Sequence, residues 1–173
     1  MAAFLDLEMT VPRGLPHQER RTETAAPESE TLTRTRILLA EDHKDMRERV
    51  VRLLESDFEV VGAVEDGLAL LEAAERMRPE VCVLDISMPR MDGIEAAARL
   101  RERAPAVRVV FLSVHEDGDF VRAALETDAL GYVVKSRMAS DLRTAIREAL
   151  AGRLFVSPSC CFAARDILKE DAS

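Results

Sequence analysis

Five polar side chains stand where short apolar runs stop. Val81-Cys82-Val83-Leu84 ends on Asp85, and the chain then turns through Pro89 and the pair Asp92-Gly93. Similar runs end on Glu41-Asp42, on Ser113 and on Lys135. Three carboxylates gathered at one place repel and raise one another's pKa unless a cation lies between them. Oxygen ligands of this kind suit a hard divalent ion, and Mg2+ is the usual partner where phosphoryl groups are involved. A carboxylate beside such an ion can attack phosphorus and become an aspartyl phosphate. An ammonium such as Lys135 would then spread charge on the transferring oxygens, and the Ser113 hydroxyl would donate to one of them. A strand-end aspartate alone more often caps a turn. Convergence with Asp42, Ser113 and Lys135 is what makes Asp85 the candidate nucleophile.

These groups can meet only if the elements bearing them share one edge. "RILLAE" (36–41), "FEVVGAVE" (58–65), "VCVLD" (81–85), "VRVVFLS" (107–113) and "GYVVK" (131–135) read as strands, short and nearly all apolar. Helices are predicted over 45–56, 67–77, 93–103, 118–127 and 140–152, the last capped by Ser140 and stopped by Gly152. On the first, Met46, Val50, Leu53 and Leu54 share a face. Arg47, Arg49 and Arg52 read as its solvated side. Strict alternation of five strands and five helices predicts an α/β fold, a doubly wound five-stranded parallel sheet with helices on both faces. In such a sheet the site lies beyond the carboxyl ends of the strands, where the winding reverses.

The 173 residues are 47% hydrophobic and 32% charged, with a formal net charge of −8, enough for one well-cored domain and some additional chain. That balance, without a Lys/Arg cluster, argues against direct nucleic-acid binding. Cys82 reads as a small core hydrophobe, and Cys160-Cys161 has neither disulfide-framework nor metal spacing, so a reducing, cytoplasmic setting is expected. "MAAFLDLEMT" lacks the basic start of a signal peptide, and no run approaches a membrane span. Residues 1–34 are rich in Thr, Glu, Arg and Pro and are expected to form a disordered tail.

The motifs "AEDH", "LDISMPRMDG", "LSVHED" and "GYVVKS" fall in the order and spacing of a known family. Through them, residues 36–151 resemble the receiver domain of two-component response regulators of the NarL/FixJ type. The resemblance implies a flavodoxin-like receiver fold over 35–152, with Asp85 as phosphoacceptor from a sensor histidine kinase. It implies Mg2+ bound directly by Asp42 and Asp85, with Glu41 helping through water and Ser87 offering its main-chain carbonyl. Lys135 would pair with the phosphoryl group. Ser113 and Tyr132 would form a switch pair, the hydroxyl moving toward the phosphoryl and the ring turning inward. Tyr132 read by itself is an aromatic packed on an edge strand, and His115 a solvated loop histidine.

Departures from the family pattern are mild: Glu41 replaces the commoner aspartate, Ser113 the commoner threonine, and Val114 a smaller residue. Ser87 and His115 occupy positions that in the family modulate hydrolysis of the acyl phosphate. Residues 153–173 start like the linker after such a receiver and suggest one short helix around 159–169. No helix-turn-helix pattern follows. A stand-alone, non-enzymatic receiver signalling to a downstream protein is therefore expected, with a phosphorylation-dependent homodimer among its assemblies. The alternative is the receiver fragment of a NarL/FixJ-type transcriptional regulator. A haloacid-dehalogenase-type phosphatase wants a second acid two residues after the nucleophile, where Ser87 stands.

Overall fold

The computed structural model describes residues 33–161 and 164–165. Its elements are β1 (Arg36–Ala40), α1 (Lys44–Leu54), β2 (Glu59–Val64), α2 (Gly67–Met77), β3 (Val81–Leu84), α3 (Gly93–Arg103), β4 (Arg108–Ser113), α4 (Gly118–Leu125), β5 (Gly131–Val134), α5 (Met138–Leu150) and β6 (Phe155–Val156). All strand pairs are parallel, in the order β2-β1-β3-β4-β5-β6. The doubly wound α/β sheet read from the sequence is present, with six strands instead of five.

Alternation along the strands divides the core into two layers. In β3, Cys82 and Leu84 face a cluster that includes Leu70, Ala96, Leu100 and Val121 from α2, α3 and α4. Val81 and Val83 face the other side, with Val50 and Leu54 of α1 and Leu142 and Ile146 of α5. Burial on both faces is why the strand is apolar at every position. Cys82 is fully buried, and burial pushes its thiol up to about 12, as suits a core side chain.

Three local readings change. The sixth strand pairs Phe155 with Gly131 and Val156 with Tyr132. Tyr132 therefore lies on an interior strand, fully buried, and not at an edge. A two-residue strand carries too little pattern to be read from sequence; its partner supplies the order. Second, α5 begins at Met138, so Ser140 lies inside the helix, its hydroxyl 2.7 Å from Asp141 Oδ1 and 2.9 Å from Arg137 O. Gly152 does follow the helix end, at φ +72°, where a side chain would be strained. Third, Arg47 turns back onto the loop after β1 instead of facing solvent. Of the tail expected over 1–34, residues 1–32 lie outside the described residues. So does most of the expected helix at 159–169. Its described start is a 3-10 turn, Pro158–Cys160.

Candidate functional site

Register brings the acids together. Ala40 at the end of β1 pairs with Leu84 at the end of β3, and Asp85 N donates to Ala40 O at 2.9 Å. Glu41-Asp42 and Asp85 thus emerge side by side, where the winding direction reverses. The turn after Asp85 is held from two sides. Asp92 caps α3 by accepting from Glu95 N at 2.8 Å, and Gly93 N donates to Ile86 O. A Cβ at Gly93 would come within 2.1 Å of Asp85 O, so only glycine permits this approach. On the far side, buried Asp66 caps α2 through Ala69 N and pairs with Arg90, a residue at φ +64° in the β3–α3 loop.

Lys135, on the 3-10 turn Lys135–Arg137 that follows β5, reaches across the end of β4 into this cleft. Its Nζ lies 2.9 Å from Asp85 Oδ2 and 2.7 Å from Glu41 Oε2. Glu41 is 0% and Asp85 3% exposed. Burial pulls the lysine pKa down, but the hydrogen bond and charge of Asp85, then of Glu41, outweigh it and hold it above the ordinary value. Asp85 Oδ1 accepts from Ser87 N at 3.3 Å. Glu41 Oε1 accepts from His43 N at 3.2 Å, while buried Oε2 faces the Lys135 ammonium.

Ligand atoms of Glu41, Asp42, His43 and Asp85 lie within 4.8 Å of one another. Three carboxylates there face one ammonium, and one buried carboxylate oxygen has acceptor capacity to spare. The residues fit a hard dication bound through oxygen. His43, absent from the sequence-based set, joins through Nδ1, 2.8 Å from Asp42 Oδ1. Its place directly after Glu41-Asp42 was the available signal. Arg47, read from the sequence as solvated, also joins the site. Its Nη1 donates to Glu41 O and Asp42 O, at 2.7 and 3.2 Å, and so fixes the acidic loop.

Ser113 is fully buried, and its Oγ accepts from His115 N at 3.1 Å. The Tyr132 hydroxyl donates to His115 O at 2.8 Å. Burial is the main force that pushes the Tyr132 phenol up to about 12. His115 is not a solvated loop residue. Its Nε2 lies 2.9 Å from Ser87 Oγ, and its ring stacks on Phe120 of α4 at 3.9 Å. One residue thus touches the loop after Asp85, Ser113, Tyr132 and α4. Only non-local contacts reveal it. Val114, beside it, is 63% exposed at the rim.

A doubly wound parallel sheet with clustered acids and a half-buried lysine at its carboxyl edge defines the class of signal-receiver domains. The family model described as the response regulator receiver domain matches residues 37–147, and the chain belongs to that family. Among curated proteins, it is 39% identical to the transcriptional regulatory protein DegU of Brevibacillus brevis over 124 residues, 70% of this chain and 52% of that one. Among solved structures, a LuxR-family two-component response regulator from Aurantimonas sp. superposes with a TM-score of 0.72 at 32% identity, covering 81% of this chain and 99% of the other. The receiver domain of the putative response regulator NarL from Mycobacterium tuberculosis superposes at 0.66 and 34% identity, covering 69% and 98%. The chain spans 52–59% of the length of the curated relatives it matches. It is thus a receiver domain of the NarL/LuxR type of two-component systems. Among the described residues, no helix is long and apolar enough to cross a membrane.

Proposed function

We propose that Asp85 accepts a phosphoryl group from the phosphohistidine of a sensor histidine kinase in the cytoplasm. The observation that carries this reading is Lys135 Nζ seated between Asp85 and Glu41, at 2.9 and 2.7 Å, on the same strand edge as Asp42. An Asp85 carboxylate oxygen attacks phosphorus, an O–P bond forms, and the P–N bond to the kinase imidazole breaks. Glu41, Asp42, Asp85 and the main-chain carbonyl of Ser87 would hold Mg2+, which when bound neutralises charge on the phosphoryl oxygens. Lys135, kept protonated by its two carboxylates, balances the added negative charge on the other side.

Signalling follows from the contacts around His115. The Ser113 hydroxyl leaves His115 N for a phosphoryl oxygen, and the loop through His115 moves with it. Tyr132 packs inward behind that loop, its hydroxyl on His115 O. The altered surface, formed by α4, β5 and α5, passes the signal to a downstream protein or to a second copy of the chain. The chain is a signalling module with no turnover of its own beyond taking up and losing the phosphoryl group.

The test is intact-mass measurement after incubation with Mg2+ and acetyl phosphate. The native protein should gain one phosphoryl group, EDTA should abolish the gain, and Asp85→Asn should show none. Equal gain in the variant would move the acceptor elsewhere, and no gain in either would end the reading. A second reading, the receiver portion of a NarL-type transcriptional regulator, is favoured by the names and greater length of the relatives. Antibody detection in the native cells decides it, since only that reading expects a species larger than this chain.

A further inference from the structure

The sixth strand is fastened by a buried polar clasp. Phe155 N donates to Leu130 O at 3.0 Å and Ser157 N to Tyr132 O at 2.9 Å, which completes the ladder on β5. Ser157 is wholly buried; its hydroxyl donates to Asp141 Oδ2 at 2.8 Å and accepts from Val134 N at 3.2 Å. Asp141, also buried, takes the Arg137 guanidinium at 2.9 Å and the Ser140 hydroxyl at 2.7 Å. A buried carboxylate satisfied in this way makes hydrogen bonds that are costly to lose. Beyond the clasp, Cys160 and Ala164 belong to the same apolar cluster as Tyr132.

Clasp and site share one short turn. Val134 donates to Ser157; Lys135, next in the chain, holds Asp85; and Arg137, two residues further, holds Asp141. On the other flank, Val156 of the same segment pairs with Tyr132 and packs on the core cluster that Tyr132 shares with Cys160, and the Tyr132 hydroxyl rests on the loop that leaves Ser113.

We infer that residues 155–160 form a strap whose closure is coupled to the state of Asp85, so that the closed strap, the inward Tyr132 ring and the loaded site favour one another. The sign comes from packing, since the strap is shut over an inward ring and the inward ring is assigned to loading. The inference rests on the proposed acceptor role of Asp85. Coupling of this kind is reciprocal, so opening the strap must weaken loading by the factor with which loading tightens the strap.

The test is amide hydrogen exchange of the full chain, with and without Mg2+ and beryllofluoride, occupancy being followed by 19F NMR. With the site occupied, the Phe155 and Ser157 amides should exchange several-fold more slowly. Ser157→Ala should speed them by about tenfold, the loss of one charge-assisted hydrogen bond, and weaken beryllofluoride binding. Amides of β1 and β3 should stay unchanged and so report an intact fold; Asp141→Asn replaces Ser157→Ala if the latter fails to fold. Unchanged or faster exchange on occupancy, or unaltered affinity in the clasp variants, overturns the strap. Should beryllofluoride not bind at all, the acceptor reading falls and Asp85→Asn decides the strap: faster exchange at 155 and 157 keeps it, equal exchange ends it.

Discussion

At the scale of single residues, Lys135 carries the greatest electrostatic weight. It is the cation between two carboxylates that are almost wholly buried, Glu41 and Asp85. Removing one partner from such a group leaves uncompensated charge, so Lys135→Ala should cost about 3 kcal/mol. Mg2+ should restore more of the melting temperature in that variant than it adds to the native protein, because the ion then replaces the missing ammonium. Thermal melts at increasing Mg2+ check both effects; an equal rise in the two proteins would contradict them. Tyr132 offers a second measurement. It is the only tyrosine, and the chain has no tryptophan, so phenolate absorbance reports one ring. With its phenol pushed up to about 12, the folded protein should show almost no phenolate at pH 10 and only about a tenth at pH 11, whereas the unfolded chain should be about half ionised at pH 10. The sign follows: this residue's contribution to stability is complete below pH 10 and is lost as pH rises from there toward 12. An absorbance midpoint near pH 10 in the folded protein would contradict its burial.

At the scale of elements, the site depends on how closely α3 approaches the end of β3. Gly93→Ala places a methyl group against the Asp85 carbonyl, a main-chain atom that cannot swing away. That variant should lose about 2 kcal/mol in denaturant unfolding and should load phosphoryl more slowly, since the shift moves Asp85 itself. Native-like loading would show that the turn can yield without moving the acid. These elements were largely legible in the sequence. Apolar runs ending on Glu41, Asp85, Ser113 and Lys135 mark the four strands that build the site, and α2 and α3 begin and end at the residues read from the sequence, each shortly before a proline, Pro79 and Pro105. What escaped is what depends on distant partners. Arg47 lies on an otherwise solvated helix side but meets the carbonyls of the β1–α1 loop. His115 acquires its stack and hydrogen bonds only when α4 and the β3–α3 loop are folded beside it. Ser140 has the character of an N-cap, yet the helix starts earlier because Met138 finds a place in the core under α5.

At the scale of the whole molecule, the doubly wound sheet has two kinds of border. One is β2, six residues long and opening on the charged Glu59, with only partial burial. On the other side lies β5, four residues that are all buried and carry no charge, beginning with Gly131. Without β6, the main-chain groups of β5 would form a flat, uncharged template for pairing with another chain. Phe155 and Val156 pair with Gly131 and Tyr132, half of it, the Ser157 hydroxyl takes Val134 N beyond them, and the two residues present only a very short border in turn. The sixth strand is therefore also a guard against self-association, and a loosened clasp should shorten the lifetime of concentrated solutions before it lowers the melting temperature appreciably. Ser157→Ala should scatter light sooner than the native protein at high concentration and equally little when dilute; clear solutions at both would separate the clasp from colloidal stability. A few residues after the last helix would then help determine how densely a cell can hold this protein without losing it to aggregates.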